Sequence, residues 1–193
     1  MRYACLLSCL IGCAHEHTVT TRASLTSERF QAAVAERLDR AADALFAFRN
    51  EIPKTEAART RCVAIFPDVH FIGADGFLTC RTQNGWSAPE PLAIKNPSQD
   101  GVDLLVLVTS QSELEQLVRT GLVGTGETAA YAHAGSRIVP VDVGGAMIDL
   151  VIGAEKALYG KTNASREVLG GFVSAPPSAE PLLRSAEVVL PLR

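Results

Sequence analysis

No run of about twenty apolar residues, the length a bilayer-spanning helix needs, occurs in the 193-residue sequence. The first uncharged stretch, Tyr3 to Gly12, is only ten residues long. Basic residues are not in excess either: 18 Lys and Arg face 21 Asp and Glu, a formal charge of −3, which argues against a nucleic-acid binder with an overall basic field. Aromatics make up 6%, with one Trp, three Tyr and seven Phe, too few for a base-stacking platform. There is no Gly-x-Ser-x-Gly elbow, no His-Glu-x-x-His and no Cys-x-x-Cys, and Gly124-Thr-Gly-Glu127 lacks the Lys-Ser/Thr of a phosphate loop. No repeat of fixed period is present. What remains is 47% apolar and 20% charged, the make-up of one ordinary globular domain with appendages.

The five cysteines are unevenly placed, with Cys5, Cys9 and Cys13 in the first thirteen residues. Met1-Arg2 precedes the short apolar run, a length suited to the h-region of a secretory signal. The run ends Leu10-Ile11-Gly12-Cys13, which resembles a bacterial lipobox. That resemblance implies cleavage before Cys13 and acylation of its thiol, with residues 1–12 as signal peptide. Leu6-Leu7-Ser8-Cys9 fits the same pattern but leaves too few apolar residues ahead of the cut. The alternative is an apolar first strand or helix of a cytoplasmic chain. Residues 13–25 are polar and non-periodic and read as a tether, in which His15 and His17 are solvated rather than metal-binding.

Phe30, Val34, Leu38, Ala41, Leu45 and Phe48 form one helical stripe over residues 26–49, with Thr26 or Ser27 as cap and Ile52-Pro53 as terminator. Further helical turns fit 54–60. The period then changes. Cys62–Phe66 and Phe77–Arg81 read as strands around a Gly73-Ala-Asp-Gly76 turn, and Asn84-Gly85 marks another turn. Trp86–Ile94, with its prolines, reads as an edge or irregular strand. Val102–Val108 is the expected central strand. Ser110-Gln-Ser-Glu113 is a capping box for a helix that stops at Gly121. An extended stretch at 124–132, a last core strand at 145–150 and short helices at 154–159 and 164–169 follow. The segment from Ser174 holds four of the ten prolines and reads as a surface tail, 174–193, whose Ala186–Leu190 could add an edge strand.

Arg61-Cys-Val-Ala-Ile-Phe-Pro67, Leu78-Thr-Cys-Arg81, Gly85-Trp-Ser-Ala-Pro89, Asp103–Val108, Gly145-Ala-Met-Ile148, Leu158-Tyr-Gly-Lys161 and Ser165–Leu169 follow in order. Together they resemble the SYLF lipid-binding domain family in its bacterial secreted branch, over roughly residues 28–171. The resemblance implies an α+β domain, residues 26–173. Its antiparallel sheet would be curled and barrel-like, with an N-terminal amphipathic helix and short flanking helices. It also implies phospholipid or phosphoinositide binding without catalysis. The chain departs from the family in lacking the long glycine-rich insert between the first two strands, of which only Phe71–Gly76 remains. It also has Lys95–Asp100 in place of a second glycine-rich segment.

If the first two strands form a hairpin, pairing Phe66 with Gly76 sets Cys62 opposite Cys80, where Cβ atoms come near disulfide range. The alternative is two buried free thiols. A bond would suit an oxidising compartment and would account for the odd cysteine count. From Arg22 to Arg61 there are eight basic and six acidic residues; from Cys62 on, nine and fourteen. This makes Arg29, Arg37, Arg40 and Arg49 the candidates for lipid-headgroup contact, although Glu36, Asp39 and Asp43 interleave with them. Asp68, His70 and Asp75, or His133 with Glu127, would serve a hydrolase only if a nucleophile joined them. No catalytic residue, metal ligand or cofactor is assigned, and an enzyme is not expected. The expected partner is a phospholipid or membrane surface, not nucleic acid. The alternative is an envelope interaction module that contacts a protein partner through the proline-rich tail. The expected location is the cell envelope, on the periplasmic face. If the host is Gram-negative, Ala14 after the acylated cysteine favours the outer membrane.

Overall fold

The computed structural model describes residues 13–121, 128–143, 146–160 and 165–191, with α1 side chains described from Glu28 onward. The expected signal peptide, 1–12, lies outside the described residues, as do Glu127, Gly145 and Lys161.

Helix α1 spans Cys13–Ala47. It takes in residues 13–25, expected to be a tether, and begins well before Thr26 or Ser27, because no Gly or Pro interrupts 13–47. Val34, Leu38, Ala41, Leu45 and Phe48 are buried as the stripe requires, but Phe30 is 44% exposed. Asn50 takes a left-handed backbone (φ 69°) just past the helix, a conformation Asn tolerates, and Pro53 then starts α2, Lys54–Arg59.

Eight strands follow: β1 Cys62–Val69, β2 Ala74–Thr82, β3 Gly85–Trp86, β4 Glu90–Lys95, β5 Val102–Val108, β6 Ala129–Ala134, β7 Arg137–Pro140 and β8 Met147–Leu150. They form one antiparallel sheet in the order β7-β6-β5-β1-β2-β4-β8, with β3 beside β2. The α+β class is as expected. The sheet is open rather than a closed barrel, with β7 and β8 as its ends. β4 is not an edge strand, despite Pro91. β8's pairing with β4 stops at Leu150, so Pro91 faces the end of that ladder and its missing N–H leaves no gap. Its carbonyl still accepts from Val151.

The strands alternate between two apolar faces, which is why β1 and β5 read as unbroken apolar runs. Val63, Ile65, Phe77, Leu105 and Leu107 face α1 and the C-terminal helix, in one core. Cys62, Ala64, Phe66, Leu78, Leu104, Val106 and Val108 face the other way, against Leu117 of the helix that follows β5 and against Val143 and Ala146. Helix α1 crosses the strands: Arg37 meets Asp75 at the start of β2, while Phe48 packs edge-on to His133 on β6, three strands away.

Helix α3, Gln111–Thr120, carries the expected capping box, with Glu113 N–H donating to Ser110 Oγ and the Glu113 carboxylate accepting from Ser110 N–H. It ends at Gly121 (φ 68°), where a Cβ would lie 2.6 Å from the Ile148 carbonyl oxygen. Short helices α4, Ile152–Tyr159, and α5, Ser165–Leu169, follow β8.

The proline-rich end is neither a surface tail nor an edge strand. A 3-10 turn, Pro177–Ala179, leads into α6, Glu180–Val189, which packs along α1. Ala179, Leu182, Ala186 and Leu190 are fully buried. Pro181 sits in the first turn, where its absent N–H costs no intrahelical bond. Arg81 ties this end down: its Nη2 donates to the carbonyls of Ala57 (2.8 Å) and Leu190 (3.2 Å), and its guanidinium stacks over Trp86.

Candidate functional site

The Cys62–Cys80 pairing is seen in the structure. The register sets Cys62 opposite Cys80 and Ile65 opposite Phe77, and the two sulfurs lie at disulfide distance, 2.12 Å. Arg81 N–H donates to the Arg61 carbonyl, so 61 and 81 are a hydrogen-bonded pair and the next pair, 62 and 80, is a non-hydrogen-bonded one. Side chains approach most closely at such pairs, and the Cα atoms here are 3.9 Å apart. Gly76 is dictated by the same hairpin. A Cβ there would lie 2.2 Å from the Ile65 carbonyl oxygen and 2.5 Å from the Phe66 ring.

The four candidate headgroup arginines do not converge. Arg37 is held by Asp75 at 2.6 Å. Arg40 joins it around a small cavity of about 240 Å³, walled by Pro67, Asp68 and Ala74 at the foot of the β1–β2 hairpin. Arg29 is exposed, about 16 Å along the helix from Arg40 at 1.5 Å per residue. Arg49 lies beyond the end of α1, with its guanidinium 4.2 Å from the centre of the Phe46 ring. Cys13 is the first residue of α1.

His70 and His133 are held by carboxylates. His70, half-exposed, lies 3.2 Å from Asp100 and 3.3 Å from Asp68. Asp75, the third member of that sequence cluster, is engaged by Arg37 instead. His133 lies 3.7 Å from Asp103. Neither histidine hydrogen-bonds to a hydroxyl or thiol among the described residues. No group of three metal-ligating side chains occurs among them either.

The arrangement best suited to a ligand lies along α3, where sequence reasoning placed none. One side of α3 borders an open depression of about 650 Å³, walled by Leu114, Val118 and Leu169, with Arg61, Arg119, Gln111 and Glu115 at its margin. The other side borders a second depression of about 420 Å³, floored by Leu78, Leu92 and Ile148 and closed by Gly121 and Asp149. Val118 and Arg119 wall both. Ile148 N–H donates to the Gly121 carbonyl at 2.6 Å, which ties the end of α3 to β8. Val118 is 42% exposed although it belongs to the apolar side of α3. Gln111 Nε2 donates to Glu115 Oε1, so Glu115 is partly satisfied within the helix. Arg61 and Arg119 have no ion-pair partner among the described residues. An apolar trough with cations at its lip can take up an acyl chain and hold an anionic head. The signal in the sequence was the Leu114, Leu117, Val118 spacing, which reads as a simple core face; only the fold shows that Leu117 alone of the three is fully enclosed.

Compared with protein-family models, curated proteins and solved structures, the chain matches none.

Proposed function

We propose that this chain is a non-catalytic phospholipid- or amphiphile-binding protein of the bacterial envelope, held there by lipidation at Cys13. The observation that carries the ligand reading is the trough along α3. The acyl chain lies against Leu114, Val118 and Leu169, and the anionic head meets Arg61 and Arg119. A volume of about 650 Å³ is within the range of small-molecule sites. The resemblance to the SYLF family points to the same ligand class. The Cys62–Cys80 pair supports an oxidising compartment, and so does the lipobox-like Leu10–Cys13. No helix among the described residues is long and apolar enough to cross a membrane, so attachment falls to the acyl group and to surface contacts. A protein-partner role through the C-terminal segment has less support, because the apolar face of α6 is spent on α1.

The ligand reading is tested on the full chain carrying Cys13→Ser. The protein is incubated with phosphatidylglycerol vesicles, separated from them, and extracted for lipid. The proposal expects bound phospholipid that is lost in Val118→Asp; protein recovered free of lipid would refute it. The anchor is tested separately by the intact mass of protein from its native membrane. The expected mass is that of residues 13–193 plus acyl groups, and an unmodified full-length mass would refute the anchor.

A further inference from the structure

The tip of the β1–β2 hairpin has no role in the trough, yet it carries two adjacent exposed large apolar side chains. Phe71 is 64% exposed and the adjacent Ile72 90%. The tip is not slack. His70 and Gly73 close it by a backbone bond, and Asp100 accepts from Phe71 N–H at 3.2 Å while contacting His70 at the same distance. The segment is therefore fixed in a form that offers two apolar side chains to solvent. Met147, 40% exposed, stands at the same end of the sheet. Gly73 abuts Lys95, and Lys95 is the register partner of Met147.

Behind this apolar front is a belt of charge. Arg37 pairs with Asp75, Lys95 pairs with Asp149 at 2.5 Å, and Arg40 lies beside Arg37 with no ion-pair partner among the described residues. Asp75, Ala93 and Asp149 share one register row three residues from Ile72, so the two ion pairs lie at most about 10 Å behind the tip at 3.3 Å per residue, with Lys95 reaching back to Asp149 from the level of Gly73. An apolar front with cations about 10 Å behind it matches the layering of a bilayer surface, where apolar groups sink roughly 5–10 Å to the acyl boundary and Arg and Lys stay with the headgroups. The carboxylates of the belt are all occupied, by Arg37, Lys95, His70 or the backbone N–H groups of Asp68 and Phe71.

We propose that the Phe71-Ile72 tip is a membrane-insertion wedge that docks this end of the sheet onto a lipid bilayer, with Arg37, Arg40 and Lys95 at headgroup depth. The proposal rests on the reading of the chain as a lipid-facing envelope protein but uses residues outside the trough. A convex front only two side chains wide suits a fluid surface, which closes around it, better than a preformed protein groove.

The test uses the full chain with Cys13→Ser, so that no acyl group supplies attachment. Co-sedimentation with phosphatidylcholine–phosphatidylglycerol vesicles should weaken at least about tenfold in Phe71→Ser/Ile72→Ser. Val118→Asp, read by extracted lipid rather than by sedimentation, reports on the trough separately. Ile72→Trp supplies a second readout, since the native Trp86 is buried. Its emission should shift to the blue on vesicles and be quenched by brominated lipid. Equal sedimentation of the double-serine variant, or an Ile72→Trp spectrum indifferent to vesicles, overturns the wedge whatever the trough does. A Cys13→Ser chain with native Val118 that takes up no lipid yet sediments with vesicles overturns the trough reading and leaves the wedge standing. A chain that ignores vesicles but captures a protein through Phe71 and Ile72 likewise overturns it.

Discussion

Removing the Cys62–Cys80 bond puts a number on the hairpin. The bond closes a loop with a sequence separation of 18. The chain-entropy relation then gives a denatured-state entropy loss of about 11 cal/mol/K, or about 3 kcal/mol at 25 °C. Both residues are buried, at 1% and 3% exposure, in the layer beneath α3 with Ala64, Phe66 and Val106, so truncation to Ala adds a small cavity term in the same direction. With a guanidinium slope of roughly 4–5 kcal/mol/M, the unfolding midpoint of Cys62→Ala/Cys80→Ala should fall by about 0.6–0.8 M. Wild-type protein unfolded in reductant should fall by a similar amount. The assay is paired denaturation with and without reductant, backed by peptide maps of the non-reduced protein. Coincident midpoints for wild type and double variant, or free 62 and 80 peptides in the non-reduced map, would refute the reasoning.

Gly76→Ala should destabilise by about 1–3 kcal/mol or prevent folding, since the added Cβ meets the Ile65 backbone carbonyl as well as the Phe66 ring; denaturant unfolding decides. Leu182→Ala should cost about 2–5 kcal/mol, because Leu182 is fully enclosed between α6 and α1. A loss of less than about 0.5 kcal/mol would mean that the C-terminal segment is not part of the core. Tyr131 and Tyr159 hold their protons more tightly when folded. Burial is the main cause for both; Glu56 adds a hydrogen bond and its charge at Tyr131, and the charges of Glu90 and Glu155 add at Tyr159. The stability this represents is complete below the unfolded tyrosine value near 10 and is lost as pH rises toward the higher folded values. Thermal midpoints should therefore decline above about pH 10, less steeply in Tyr159→Phe; an identical decline in that variant would contradict the assignment.

The elements read best from sequence are those whose reasons are local. The Ser110–Glu113 box and Gly121 cap α3 from within a dozen residues, and the hairpin register follows from two short apolar runs facing each other across one turn. The misread elements depend on distant partners. Pro176, Pro177 and Pro181 suggest a tail, but Leu182, Ala186 and Leu190 are spaced as a helical stripe, and its burial requires α1, more than 130 residues away in the chain. Pro91 suggests an edge, yet it is tolerated inside the sheet because β8 ends beside it. The arginines of α1 look alike in sequence, and only the fold assigns Arg37 to Asp75, Arg40 to the hairpin foot and Arg49 to Phe46. The trough was out of reach for the same reason: Arg61, Val118 and Leu169 meet only once β1, α3 and α5 are assembled.

The central claim is that this domain holds a lipid along α3, and native mass spectrometry reads it directly. The full chain with Cys13→Ser, recovered from phosphatidylglycerol vesicles, should show a species heavier than the bare protein by the mass of one phospholipid, and Val118→Asp should show only the bare mass. A bare mass for both proteins, or an equal lipid adduct on both, would contradict the account.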